Sequence, residues 1–310
     1  MVTTIQAPIY TRDTALPTPF SIGLKPIDYG HWIEPDVDLG FYLDEKARLC
    51  RENLDEVFRM ESGTEEAQEE VLTRLADHLA SEHGDLYRRE GSIFEMGGHR
   101  VDIADTSRPA LLRAGSLVQD DLVLMRRKKT GWHIVAAYVA FPSSWSLTEK
   151  FGQPMEGVHA SVPGFQGGTR NAQLVNRIFD NLLFEKPVER LNWSIKGDGA
   201  LPQPVSKHTA GDPAVAGAEA IKNFIRAERQ TLSRLPVSGD ILFTIRVFVD
   251  PLAAIAARPD ASQQLSSMAR LLEGLNDDQL GYKGLRTLRD PLVAFLGALA
   301  AEKAAATEQA

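Results

Sequence analysis

The chain has 310 residues, 43% of them hydrophobic and 25% charged, which is enough to bury a core that encloses an organic cofactor. Against 34 Lys and Arg stand 42 Asp and Glu, a net charge of −8, which argues against nucleic acid or an anionic membrane as the main partner. Cys50 is the only cysteine, so an intrachain disulfide, a cysteine-held iron–sulfur cluster and a multi-cysteine zinc site are excluded. The N-terminus has no basic segment followed by an apolar core, and no apolar run reaches the roughly 18 residues of a membrane span. Neither a signal peptide nor a transmembrane helix is expected, and the default location is cytoplasmic.

In chain order, residues 1–42 read as an extended, proline-punctuated arm. Its recurrent aromatics (Tyr10, Phe20, Tyr29, Trp32, Phe41, Tyr42) predict that it packs on a single domain spanning 43–310. Helical spacing follows over 44–60, with Cys50 as a small buried residue. A second helix is N-capped by Thr64 and ends near His83 and Gly84, and the short connection implies a helical hairpin. Gly97-Gly98 marks one β-hairpin, 109–118 one short helix, and 122–127 with 132–141 a second hairpin whose basic tip, Arg126 to Lys129, reads as solvated. Amphipathic helices are expected over 169–184 and 218–235, strands over 191–195 and 241–249, and an irregular loop over 197–217 that carries His208. The last expected helices are 252–257, 262–275 and 290–304. Five or six strands framed by helices make an α+β fold, an antiparallel sheet with helices mostly on one face.

The stretch between the strand ending at Phe141 and the helix starting at Thr169 is FPSSWSLTEKFGQPMEGVHASVPG, residues 141–164. Its prolines and glycines shape a long ordered loop around one imidazole, His159. That is the setting a haem iron or a catalytic metal requires; the plainer reading is a structural loop with an incidental histidine. No GxGxxG, GxxxxGK[ST], HExxH or GxSxG motif is present, so a dinucleotide fold, a P-loop ATPase, a zincin and a common serine hydrolase are disfavoured. Arg246 lies in the apolar strand ILFTIRVFV, and Arg226, Arg229 and Arg234 fall near Glu228. A buried guanidinium must be paired. The plain partner is Glu228, Glu149 or Glu189; the alternative is an anionic ligand group such as a haem propionate.

The 141–164 block, then LNWSI at 191–195, then ERQTLSRLPVSGDILFTIRVF at 228–248, resemble in the same order the blocks of the haem-dependent oxidative N-demethylase family. GLKPIDYGHWIEPD at 23–36 resembles its opening, and the resemblance covers roughly residues 20 to 300. It implies a PAS-like antiparallel sheet with added helices enclosing haem b. It implies oxidative removal of a methyl group from a small secondary amine such as dimethylamine, with O₂ as co-substrate and formaldehyde as product. Electrons are implied to come from NADPH through a separate flavin (FMN) and iron–sulfur reductase subunit, with a folate-binding component capturing formaldehyde. By the family's pattern His159 matches the axial iron ligand, although Ala160-Ser161-Val162 stands where the family often has a proline-containing sequence. Arg229, Arg234 and Arg246 are expected to bind the propionates. The catalytic residues on the open face are not assigned. The alternative reading is a haem-binding PAS-like sensor or carrier without turnover, and beyond that a cofactor-free interaction protein.

Overall fold

The computed structural model describes residues 16–184, 186–205 and 214–308; Tyr10 and His208 lie outside them. Strand β1 (Lys25–Pro26) opens the chain, followed by α1 (Leu39–Val57), β2 (Phe58–Met60), α2 (Glu65–Glu82), β3 (Arg88–Glu90), β4 (Ile93–Met96), β5 (His99–Asp102) and α3 (Ala110–Gly115). The middle of the chain forms β6 (Asp121–Lys128), β7 (Gly131–Tyr138), α4 (Leu147–Lys150), α5 (Met155–Val158), α6 (Arg170–Asp180) and β8 (Val188–Lys196). Then come β9 (Phe224–Arg234), β10 (Ile241–Pro251), α7 (Leu252–Ala256), α8 (Ala261–Glu273), α9 (Asp277–Lys283) and α10 (Arg289–Glu308). The fold is thus mixed helix and antiparallel sheet. No helix of the described residues is long and apolar enough to cross a membrane.

The main sheet runs β1-β8-β9-β10-β6-β7-β2, and a smaller one runs β3-β4-β5, so there are more strands than the five or six expected. All neighbours pair antiparallel. Side chains alternate across a strand, so the register assigns each residue to a face. Val188, Leu232, Phe243, Val123 and Ala137 form one row across the sheet; Glu189, Thr231, Thr244, Leu122 and Tyr138 form the next row, on the opposite side. On the first face Val123, Met125, Leu232 and Ile241 pack under Leu147, Met155, Phe165, Val175 and Phe179 from α4 to α6. On the second, Leu122, Leu124, Leu242 and Tyr138 pack under Trp32, Leu43, Leu75 and Leu111 from the N-terminal segment and α1 to α3. These are called below the α6 face and the arm face. Helices therefore cover both sides, where one side was expected. The C-terminal helices form a third cluster around Trp193, Ile195 and Ile225.

Three further expectations change. The helical hairpin does not form: β2 occupies the link between α1 and α2 and pairs with β7, while α2 packs on α3. The tip of the β6–β7 hairpin is not merely solvated, because Arg126 binds Asp240 and Lys128 binds Glu61. Residues 218–235 are not a helix but a short 3-10 turn at 217–222 and then strand β9. Ile221, Ile225 and Leu232 fit a helical period, but β9 is a central strand covered on both faces. Its Arg226, Glu228 and Arg229 are buried and bonded inside the protein. Buried charges look like a solvated helix face when only polarity is read.

One buried cation, Lys46, and one buried imidazole, His78, tie the arm face together. Lys46 on α1 donates to the carbonyls of Gly115 (3.1 Å), Val118 (2.9 Å) and Asp120. Burial pushes its pKa down to about 8 against the pull of Asp121 and Asp120. Cys50 is half-buried, with its thiol 3.1 Å from the Tyr138 hydroxyl. His78 on α2 is 2% exposed and ringed by Tyr29, Trp32 and His83, each with ring centroids 5.3 Å away. Burial, then the neighbouring His83, pushes His78 down to about 4, opposed by the Ile33 carbonyl and Glu82. Its folded value lies below the unfolded one of about 6.5, so the unfolded chain binds more protons between the two. Stability is unaffected above the unfolded value and falls as pH drops from there toward 4. Urea unfolding at pH 7 and pH 4.5 should show wild type losing about 2 kcal/mol more than His78→Phe over that interval. Equal losses would show that His78 carries no such linkage.

Candidate functional site

The segment 141–168 is fixed at its start and along its middle. At its base, buried Arg226 donates to the Phe141 carbonyl (2.9 Å), the Pro142 carbonyl (3.3 Å) and Ser143 Oγ (2.7 Å), and to the carbonyls of Ala200 (3.1 Å) and Leu201 (2.8 Å). Lys196 Nζ donates to Ser144 Oγ at 2.6 Å, and Ser144 holds a left-handed backbone, φ 64°. Further along, Ser146 and Glu149 form a capping box on α4. His133 of β7 is buried, its Nδ1 lies 2.9 Å from the Gly152 carbonyl, and its Nε2 lies 2.7 Å from Thr130 Oγ1. Lys150 Nζ reaches the Val158 carbonyl at 2.8 Å.

This scaffold presents His159 at the end of α5, on the α6 face of the sheet. Its amide donates to the Met155 carbonyl (3.1 Å), its carbonyl accepts from Val162 (2.9 Å), and its ring lies 6.0 Å from that of Phe165. Burial, then the positive charges of Arg190 and Lys150, push the imidazole down to about 4. At neutral pH the ring is therefore uncharged and keeps a nitrogen lone pair, which is the form that ligates a metal.

Arg190 of β8 is on the same face, opposite Gln230. Its Nη2 donates to the Ser21 carbonyl (3.1 Å), its Nη1 makes only a long contact with Gln230 Oε1 (3.3 Å), and its Nε is buried without a hydrogen-bond partner among the described residues. Burial lowers its pKa, against the pull of Glu228 and Tyr282. Glu228 is buried one position along that face, its carboxylate accepting from Gln230 Nε2 at 2.7 Å. Burial and then the Glu228 charge push Tyr282 up to about 12, so its phenol stays protonated.

The three arginines read from the sequence lie elsewhere. Arg229 and Arg246 face each other across β9 and β10 on the arm face, opposite the side that carries His159. Glu189 accepts from Arg229 Nε at 2.7 Å, and the carbonyls of Trp32 and His31 take its other nitrogens. Asp36 accepts from Arg246 Nη2 at 2.6 Å, and that guanidinium lies between the rings of Tyr42 (4.1 Å) and Phe248 (4.5 Å). Carboxylate partners thus hold both: Glu189 was anticipated, though for the other arginine, and Asp36 was not. Arg234 is on the same face as His159, but beside Asp180 at the far end of α6. Arg190 escapes the sequence reading because a strand starting at Leu191 begins three residues after the true start of β8 at Val188 and leaves Arg190 out. The alternation of Arg190, Asn192 and Ser194 with Leu191, Trp193 and Ile195 is the signal that places it. Among the described residues no group of three or more His, Cys, Asp or Glu side chains could hold a metal ion.

The family model for the haem-dependent oxidative N-demethylase, alpha subunit-like, matches residues 23–293. The chain belongs to this family. Haem dependence and oxidative N-demethylation are the family's chemistry. A lone neutral imidazole beside a buried guanidinium with an unpartnered nitrogen is a donor set that fits haem: one ligand for iron, one cation for an acidic edge.

Proposed function

We propose that this chain is the haem-binding subunit of a PAS-like oxidative N-demethylase that acts on a small secondary amine of the dimethylamine type. The carrying observation is the pairing of His159 and Arg190 on one sheet face in a chain of this family. His159 ligates the iron of haem b, and Arg190, in place of Arg229 and Arg246, binds a propionate through its fork of donors. The antiparallel order of β8, β9, β10, β6 and β7, with the 141–168 segment and α6 crossing one face, supports the PAS-like reading. When bound, haem supplies the activation of O₂ and the oxidation of an N-methyl carbon. The overall reaction uses two electrons and two protons; one oxygen atom leaves in formaldehyde and the other in water.

The chain's own groups bind and orient. The apolar walls, Phe165, Val158 and Val162, exclude water from the His159 side. Glu228 gives that face a buried carboxylate, the charge that an ammonium substrate seeks. The single cysteine leaves no means of building an iron–sulfur cluster in this chain. As the family resemblance implies, electrons on this reading come from NADPH through a partner carrying FMN and an iron–sulfur centre, and a folate-binding component takes up formaldehyde. A cytoplasmic site fits this chemistry. Incubating the haem-loaded protein with dimethylamine, O₂ and a reductase tests the reading: formaldehyde should appear in step with amine consumed. Haem that is reduced normally without formaldehyde from any small secondary amine would make the protein a sensor or carrier instead.

A further inference from the structure

At the far end of α6, a cleft of about 420 Å³ opens between the β6–β7 hairpin, the C-terminus of α6 and the turn joining β9 to β10. Its size falls within the range of small-molecule sites. Three arginines line it, Arg126, Arg127 and Arg234, together with Trp132, Asp180 and Asp240. Asp240 is fully engaged by Arg126, which donates Nε and Nη2 to it at 3.0 and 2.7 Å. Asp180 Oδ1 takes both the Trp132 indole N–H (2.9 Å) and Arg127 Nε (3.0 Å). Among the described residues the Arg234 side chain donates only to the Asp180 main-chain carbonyl, at 3.3 Å, while stacking on Phe184 at 5.1 Å. Among the described residues Arg234 has no carboxylate partner, and its Nε is buried with no hydrogen-bond acceptor. Three guanidiniums against two carboxylates leave one positive charge in excess, in a chain whose net charge is −8.

We propose that this cleft is a phosphate-binding site, away from His159 at the far end of α6 and taking either the free ion or a small phosphomonoester. A half-buried guanidinium without a counter-charge is costly, and an oxyanion accepting from Arg234 and Arg127 relieves that cost. Arg126 is spent on Asp240 and the Gly63 carbonyl, so the free donors are those of Arg234 and Arg127, and a phosphate offers oxygens to both from one centre with more charge than a carboxylate. The cleft also leaves room beyond the phosphate group for the organic part of an ester. Neither the haem nor the amine of the family reaction calls for such a site.

Calorimetric titration of the whole protein with inorganic phosphate and with phenyl phosphate, in chloride buffer at constant ionic strength, tests the proposal. Saturable single-site binding is expected, weakened at least about tenfold by Arg234→Gln and by Arg127→Gln and unchanged by Arg89→Gln, a surface arginine far from the cleft. If Arg234→Gln folds poorly, Arg127→Gln carries the test, because that side chain is half exposed and its loss leaves the core intact. Tighter binding of phenyl phosphate identifies an ester as the occupant, and preference for inorganic phosphate identifies the free ion. No saturable binding of either, or binding unchanged in Arg127→Gln and Arg234→Gln, overturns the proposal.

Discussion

Protein carrying His159→Ala, expressed with supplementary haem, is expected to lose nearly all of its bound haem while keeping its fold. The imidazole is one strong bond to iron, and among the described residues no second histidine shares its face and loop. His133 is committed to Gly152 and Thr130, and His78 and His83 lie under the arm on the other side. The fold should survive because the contacts of His159 with the chain are mostly main-chain, to Met155 and Val162. A half-buried neutral side chain of this kind costs about 1 kcal/mol or less on truncation. Added imidazole should partly restore the Soret band by entering the space the side chain vacates. Unchanged haem content with an unshifted Soret band would give the ligand role to another residue. Arg190→Met should act differently: the iron ligand stays, so the Soret position holds while haem affinity drops.

The second large effect falls on stability. Arg226→Met should cost about 4 kcal/mol and lower the melting temperature by on the order of 10 °C. Methionine fills similar space, so a cavity is not the reason. Arg226 is 1% exposed and donates to four main-chain carbonyls and one hydroxyl, from segments 25 to 85 residues away in the chain. Removing the guanidinium takes the side-chain donor from the buried Phe141 and Leu201 carbonyls, while Pro142 keeps the Gln203 amide, and it frees the base of the loop that positions His159. Arg226→Lys should recover little, because a single ammonium cannot span both segments. Chemical denaturation of the two variants measures this directly; a loss below about 1 kcal/mol would mean that water replaces the arginine at little cost.

How far the sequence discloses this architecture depends on where its charges lie. The strand from Trp132 and β10 are legible because they are almost wholly apolar, and α6 because Val175 and Phe179 recur at helical spacing below the Thr169 cap. The identity of β9 is hidden, because Arg226, Glu228 and Arg229 are buried through partners far off in the chain. α9 is hidden because it is short and buries only Leu280, with Asn276 and Gln279 as its one local signal. Reading β9 as a helix is what grouped its arginines. Taken as a helix, 218–235 puts Arg226, Arg229 and Arg234 in one neighbourhood; as a strand it sends Arg229 to the arm face and the other two to the α6 face. His159 could be singled out because prolines and glycines shape its loop locally. Its neighbour Arg190 could not, because which face a strand residue takes depends on pairing with distant strands.

Titration of the haem-free protein with hemin, followed at the Soret band, tests the account at its root. A sharp, shifted band that saturates at one equivalent per chain is expected, with no such saturation when His159 is alanine. A band that grows without saturating, or that saturates alike with and without His159, would contradict it.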